Sequence, residues 1–178
     1  MLDALLLRLH TETACRCAGA LALRRMDLDP DQGLVRIREK GETLRWQPIS
    51  LDLAAHLVDH AGHRGAVAPA DQLLRYRDGR PLTSRRYDHL WKRIGDRLPW
   101  VAAQGISTHW LRHTTLTWVE RNFGYGIARA YAGHTDKTGP ATTTYIKADL
   151  QAVATALAAL TGQPHPLATS LEDLGIRT

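Results

Sequence analysis

Leu2, Leu5, Leu6 and Leu9 follow the spacing of one helical face, so the chain is expected to open inside a helix whose upstream part is missing. A short apolar run, Gly19 to Leu23, leads into Asp27-Leu28-Asp29-Pro30-Asp31, where Asp and Pro predict a turn that closes the helical region. The period then becomes two. Leu34 to Arg38 and Leu44 to Ile49 alternate apolar and polar positions around Lys40-Gly41-Glu42, which predicts a hairpin with Lys40 at its tip. From Ser50 the helical period returns (Leu51, Leu53, Ala54, Leu57, Val58), and Gly62 to Pro69 reads as a loop. Leu73 to Tyr76 predicts a short strand before the Asp78-Gly79 turn. Thr83 or Ser84 is expected to cap a helix that buries Tyr87, Leu90, Trp91, Ile94 and Leu98 and exposes Arg85, Arg86, Lys92 and Arg93. Further helices are predicted from Thr108 to about Asn122, from Gly126 to Ala132 and from Asp149 to Leu160. The expected fold class is mainly α with a small antiparallel β-sheet (α+β), with residues 1–161 forming one domain. Residues 162–178 read as a tail whose apolar patch, Leu171, Leu174 and Ile176, packs on its own domain or docks on a neighbouring protomer.

A length of 178 residues with 44% hydrophobic positions suits one core rather than two. The formal net charge is +5, and only four of the 23 basic residues are lysine (Lys40, Lys92, Lys137, Lys147). Arginine's planar fork donates two parallel hydrogen bonds to a phosphate and stays charged, so this balance favours a polyanionic partner, nucleic acid above all. Cys15 and Cys17 are too close to staple a fold and lack a second pair for a structural zinc site; they are expected in the core of a reduced protein, without a metal. The opening LDALLLRLH is too short and interrupted for a membrane span and lacks the marks of a signal peptide, so a cytoplasmic protein with no membrane partner is expected.

Five separated pieces carry candidate chemistry: Arg16, Lys40, the run His109-Trp110-Leu111-Arg112-His113, Gly133-His134, and Tyr145. On a helix starting near Thr108, residues 109 and 112 share a face, so a phosphate can meet imidazole and guanidinium together. Transfer of a phosphodiester between oxygens builds charge on the non-bridging oxygens, and each preorganised donor aimed at them is worth ~3 kcal/mol or more. Arg16 and Arg112 suit that role. Tyrosine, with an ordinary pKa near 10, becomes a nucleophile only where cations stabilise its phenolate. A leaving 5′-oxygen must receive a proton, which the Lys40 ammonium can supply, while His109 and His134 titrate in the range needed to handle the tyrosine proton. Neither a glycine-rich phosphate loop nor clustered carboxylates occur, so no nucleotide, metal or other cofactor is expected. Among the remaining residues, Tyr131 and His113 are expected in the core, Arg129 on the surface and Trp110 in packing.

In this order the pieces resemble the tyrosine recombinase/integrase family, whose site is Arg, Lys, His-x-x-Arg, His or Trp, and Tyr. His109 to Thr114 is similar to its H-x-L-R-H-T box and Ala132-Gly133-His134 to its L-G-H box; the likeness runs from Leu2 to about Leu160. The resemblance implies the tyrosine recombinase catalytic-domain fold, with Arg16, Lys40, His109, Arg112 and His134 as activating residues and Tyr145 as the nucleophile of a 3′-phosphotyrosyl link. It further implies double-stranded DNA as partner, four protomers on two duplexes, integration or excision of a phage or mobile element, and an N-terminal DNA-clamping domain absent from this chain. DNA contacts are expected from Arg36, Arg38 and Arg45 on the hairpin and from Ser84, Arg85, Arg86 and Lys92 at the helix after it. One departure stands out: the family usually has Glu three residues after the first arginine, and this chain has Gly19. Rival readings are a DNA-binding relative that has lost catalysis, a type IB topoisomerase-like enzyme and, least favoured, a metal-dependent nuclease.

Overall fold

The computed structural model describes residues 2–38, 44–133 and 142–169, with 142–149 described as helical backbone only. Leu6 and Leu9 of α1 (Leu2–Thr13) are fully buried, as their spacing requires. The helix ends where Thr13 Oγ1 donates to the Leu9 carbonyl at 2.6 Å and Ala14 turns to φ +50°. After a five-residue helix α2 (Cys17–Leu21) and one 3-10 turn come β1 (Leu28–Asp29), β2 (Leu34–Arg38) and β3 (Leu44–Pro48), an antiparallel sheet in the order β1-β2-β3.

The β2–β3 register explains which hairpin residues face inward. Val35 lies opposite Gln47 and Ile37 opposite Arg45, and directly opposed residues share a face of the pleat. Val35 and Ile37 are buried, so Gln47 is buried with them and Arg45 is drawn half inside, leaving Leu44 and Trp46 exposed. Arg36, on the outer face, stacks over the Trp46 ring at 5.7 Å and pairs with the buried Asp27 at 2.8 Å.

Ser50 caps α3 (Leu51–His63) by accepting from the Leu53 amide at 3.2 Å, and the buried Glu12 of α1 accepts from the Ser50 amide at 2.8 Å. Residues 73–76 do not form the predicted strand. Leu73 and Leu74 are consecutive and both fully buried, a pattern that cannot alternate across a sheet, and the segment makes only the isolated bridges Arg24–Gln72 and Arg75–Pro81. In α4 (Arg85–Arg97), Tyr87 and Leu90 are buried and Trp91 and Ile94 half-buried as expected, but Leu98 lies past the last turn and is exposed. Ser84 occupies the cap position without a side-chain capping bond, because its own backbone (φ −55°, ψ −33°) is already helical.

Three helices, α6 (Thr108–Phe123), α7 (Tyr125–Tyr131) and α8 (Thr142–Thr161), follow the short α5 (Pro99–Ala103). α8 starts seven residues before the predicted Asp149: three threonines lower helix propensity by only tenths of a kcal/mol each, which propagation from an established helix overcomes. Two cores result. Leu6, Leu9, Ile37, Leu53, Leu57 and Leu90 belong to the larger; Ala14, Val119, Tyr131, Val153 and Leu157 belong to the second, so the turn after α1 touches both. The described part of the tail packs on its own domain: the buried His165 ring lies 3.0 Å from the Gly33 carbonyl, and the Thr169 amide donates to Thr155 Oγ1. Leu171, Leu174 and Ile176 lie outside the described residues.

Candidate active site

The first turn of α6 and the turn between α1 and α2 enclose a hollow lined by Cys15, Arg16, Cys17, Thr108, His109 and Arg112. Residues far apart in sequence meet here because α6 packs along α1. Thr108 is buried and accepts from Trp91 Nε1 of α4 at 2.8 Å, which fixes the start of α6. Four positions on, Arg112 is only 5% exposed; its guanidinium donates to the Ala14 carbonyl and, at 3.0 Å, to the Ala132 carbonyl. That one side chain ties the Arg16 turn to the end of α7. Charge-assisted bonds of this kind hold a buried cation in place and make its position insensitive to solvent.

Arg16 is exposed and stands at the N-terminus of α2. The turn leading to it is closely held. The Ala14 amide donates to the His10 carbonyl at 2.9 Å, the Cys15 amide to Thr13 Oγ1 at 3.2 Å, and the Arg16 carbonyl accepts from the Ala20 amide at 3.1 Å. Ala14, a non-glycine residue in the left-handed region, costs about 1–2 kcal/mol, which these bonds and the Arg112 contact offset. Gly19 explains the departure from the usual glutamate. A Cβ there would meet Ile37 Cγ2 at 3.1 Å and the Arg38 carbonyl at 3.3 Å, so α2 lies directly on β2 with no room for a carboxylate.

His109 is exposed at the mouth of the hollow, its Nε2 lying 2.8 Å from Nε2 of His113 with the rings perpendicular at 89°. His113 is therefore not a core residue. The buried stripe of α6 runs Thr108, Arg112, Thr115, Val119, and position 113 is turned about 100° away from it. Trp110, expected in packing, is 47% exposed for the same reason. Tyr145 lies on the first turn of α8. Lys40 and His134 lie outside the described residues, although Gly133, at φ +76°, rests directly on the Arg45 side chain.

Two other tyrosines are unsuited to nucleophilic work. Tyr131 is fully buried as expected, its hydroxyl donates to the Glu12 carbonyl, and burial pushes its ionisation up. Tyr87 is buried and shifted upward for the same cause. Arg129 is half-buried rather than on the open surface, its guanidinium donating to the exposed Tyr125 hydroxyl at 3.3 Å.

Several expected DNA contacts are committed within the chain. Arg86 and Arg93 both pair with Asp3, Lys92 pairs with Asp96 at 2.8 Å, Arg36 with Asp27, and Arg45 donates to Gln47 while supporting Gly133. Arg38, Ser84 and Arg85 are exposed. Cys15 is buried as expected and Cys17 half-buried, and among the described residues no group of three or more His, Cys, Asp or Glu side chains is placed to hold a metal. Sequence reasoning missed the buried Glu12 and the His10–Tyr87 pair. Their one signal was the presence of polar residues on the otherwise apolar face of α1.

Residues 1–151 match the phage integrase family. Tyrosine recombinase XerC of Chlamydia trachomatis serovar L2 is 30% identical over 137 residues, covering 75% of this chain and 43% of that protein; XerC of Chlamydia caviae is likewise 30% identical, over 74% and 43%. The chain thus spans less than half the length of the curated relatives it matches. Among solved structures, a post-cleavage complex of the XerH site-specific recombinase with a palindromic difH substrate superposes with a TM-score of 0.61 at 21% identity, over 88% of this chain and 45% of that one. The Tn1549 transposon integrase with circular intermediate DNA gives 0.57 at 15% identity, over 97% and 57%. The mainly helical fold with a small antiparallel sheet is that of these catalytic domains.

Proposed function

The chain belongs to the phage integrase family, and from that premise we propose that residues 1–161 are the catalytic domain of a site-specific recombinase that cuts and rejoins double-stranded DNA through Tyr145. The observation that carries this reading is the convergence of Arg16, His109 and Arg112 on one hollow. Arg16 and Arg112 bind the non-bridging oxygens of the scissile phosphate, where each donor is worth ~3 kcal/mol as charge builds. The Tyr145 oxygen attacks phosphorus and passes its proton to His109 or His134. The bond from phosphorus to the 5′-oxygen breaks, and Lys40 protonates that oxygen. A 3′-phosphotyrosyl ester and a free 5′-hydroxyl result, and reversal with a second 5′-hydroxyl rejoins the strand without ATP or a metal. Arg36, Arg38, Arg45, Ser84, Arg85, Arg86 and Lys92 remain the proposed DNA-facing set, led by Arg38, Ser84 and Arg85.

The setting is integration or excision of a phage or mobile element, in the bacterial cytoplasm, with four protomers on two duplexes. Among the described residues no helix is long and apolar enough to cross a membrane. Covalent trapping on nicked duplexes that prevent religation tests the proposal. After DNA digestion, mass spectrometry is expected to find nucleotide on the Tyr145 peptide and none with Tyr145→Phe. No adduct on any peptide reduces the protein to a DNA-binding relative; an adduct on another tyrosine reassigns the nucleophile.

A further inference from the structure

His10 is 1% exposed and Tyr87 5%, and they join α1 to α4 beneath the hollow. His10 Nδ1 lies 3.0 Å from the Cys15 carbonyl and Nε2 lies 2.8 Å from the Tyr87 hydroxyl; the rings meet edge to face with centroids 5.2 Å apart. A carbonyl only accepts, so Nδ1 carries the hydrogen. In a neutral ring Nε2 is then the lone-pair nitrogen, and the Tyr87 hydroxyl must donate to it. The bonds therefore run one way, from Tyr87 to His10 to the Cys15 carbonyl. That carbonyl belongs to the peptide plane that enters Arg16.

We propose that His10 and Tyr87 are positioning residues for Arg16, a buried relay that fixes the Cys15–Arg16 peptide plane from α4 and thereby sets where the guanidinium meets a phosphate oxygen. The Ala14 side of the same turn is held by Arg112, so the relay supplies the second fixed point, and two points on adjacent peptide planes determine the direction in which Arg16 leaves the backbone. Gly19 leaves no carboxylate to brace Arg16 from α2, so bracing comes from the opposite side. α4 also carries Ser84 and Arg85, which makes the seating of that helix and the aim of Arg16 a single mechanical unit.

For its effect on rate the inference rests on the recombinase reading; its test is single-turnover cleavage of a nicked duplex at saturating DNA, with DNA affinity measured separately. His10→Leu is expected to slow cleavage ~10²-fold while leaving affinity within ~2-fold, as a displaced catalytic contact does. His10→Asn, whose amide can donate to the Cys15 carbonyl, should recover most of that loss, and Tyr87→Phe should cost ~5-fold, the worth of one neutral hydrogen bond. In an Arg16→Ala background His10→Leu should cost nothing further, since the relay acts only through Arg16. Equal penalties in both backgrounds overturn the proposal. If the wild type itself forms no covalent complex, the recombinase reading falls separately, and the relay is read from the nitrogen-15 resonance of the Arg16 amide. A shift in His10→Leu and in Tyr87→Phe that His10→Asn largely reverses sustains it; an unmoved resonance, or one that His10→Asn moves as far as His10→Leu, overturns it.

Discussion

The guanidinium of Arg112 donates to the carbonyl of Ala14, two residues before Arg16, so one candidate phosphate ligand holds the backbone that presents the other. The same guanidinium reaches the Ala132 carbonyl at the end of α7. A lysine there has no planar fork to span the two carbonyls. Arg112→Lys is expected to lose about 1–3 kcal/mol of stability, from buried carbonyls left without their charged donor, and at least ~10²-fold in cleavage rate. Urea unfolding and single-turnover trapping measure the two effects.

Tyr131 gives the complementary control. Its buried hydroxyl donates to the Glu12 carbonyl, so Tyr131→Phe should cost about 1 kcal/mol in thermal unfolding. Covalent complex formation should persist, whereas Tyr145→Phe should abolish it.

Acid should weaken the fold through His10. Burial lowers its pKa from 6.5 to about 4, so between those values the unfolded chain binds a proton that the native ring refuses. Its contribution is complete above pH 6.5 and lost as pH falls toward 4, a change of about 3 kcal/mol at most. The half-buried His60, also lowered to about 4 chiefly by burial, adds a smaller change of the same sign. Urea unfolding at pH 7 and pH 4.5 should show a smaller loss in His10→Asn than in the wild type.

Asp3 holds Arg86 and Arg93 against α1. Freeing them adds phosphate ligands along α4, so Asp3→Asn is expected to tighten non-specific duplex binding at low salt several-fold and steepen its salt dependence. Stability should fall by about 1–3 kcal/mol, because the Arg86 side chain, only 13% exposed, loses its charged acceptor. A binding isotherm series in potassium chloride reads both.

At Gly133 two constraints coincide: a positive φ, and contact with the Arg45 side chain that leaves no space for a methyl group. Gly133→Ala should destabilise by about 1–3 kcal/mol, and Arg45→Ala in the same chain should restore only the steric part, leaving the backbone strain. Chemical denaturation of the two variants beside the wild type and the Arg45→Ala single variant separates the two.

Elements whose apolar positions repeat at a helical or strand period were legible in the chain: α1, α3, α4 and the hairpin all stand where Leu6, Leu53, Leu90 and Ile37 demand. Legibility failed where burial followed from a partner rather than a period. Leu73 and Leu74 look like strand residues but sit between other elements. His113 and Trp110 look apolar enough to pack, yet α6 buries Thr108 and Arg112 instead, because that stripe faces α1 and the Arg16 turn. Within the candidate site, motif order brought Arg16, His109 and Arg112 to one hollow. The relay beneath them was invisible, since a histidine and a tyrosine in different helices carry no spacing signal.

Tyr145 stands at the start of a continuous helix whose later turns are clamped by Val153, Ala154 and Leu157. Val153 lies eight positions along the helix from Tyr145, a strut of about 12 Å. Each residue released from this stretch of helix lengthens its own span from about 1.5 Å to about 3.3 Å. The position of residue 145 relative to those buried turns is thus counted in helical hydrogen bonds kept or broken.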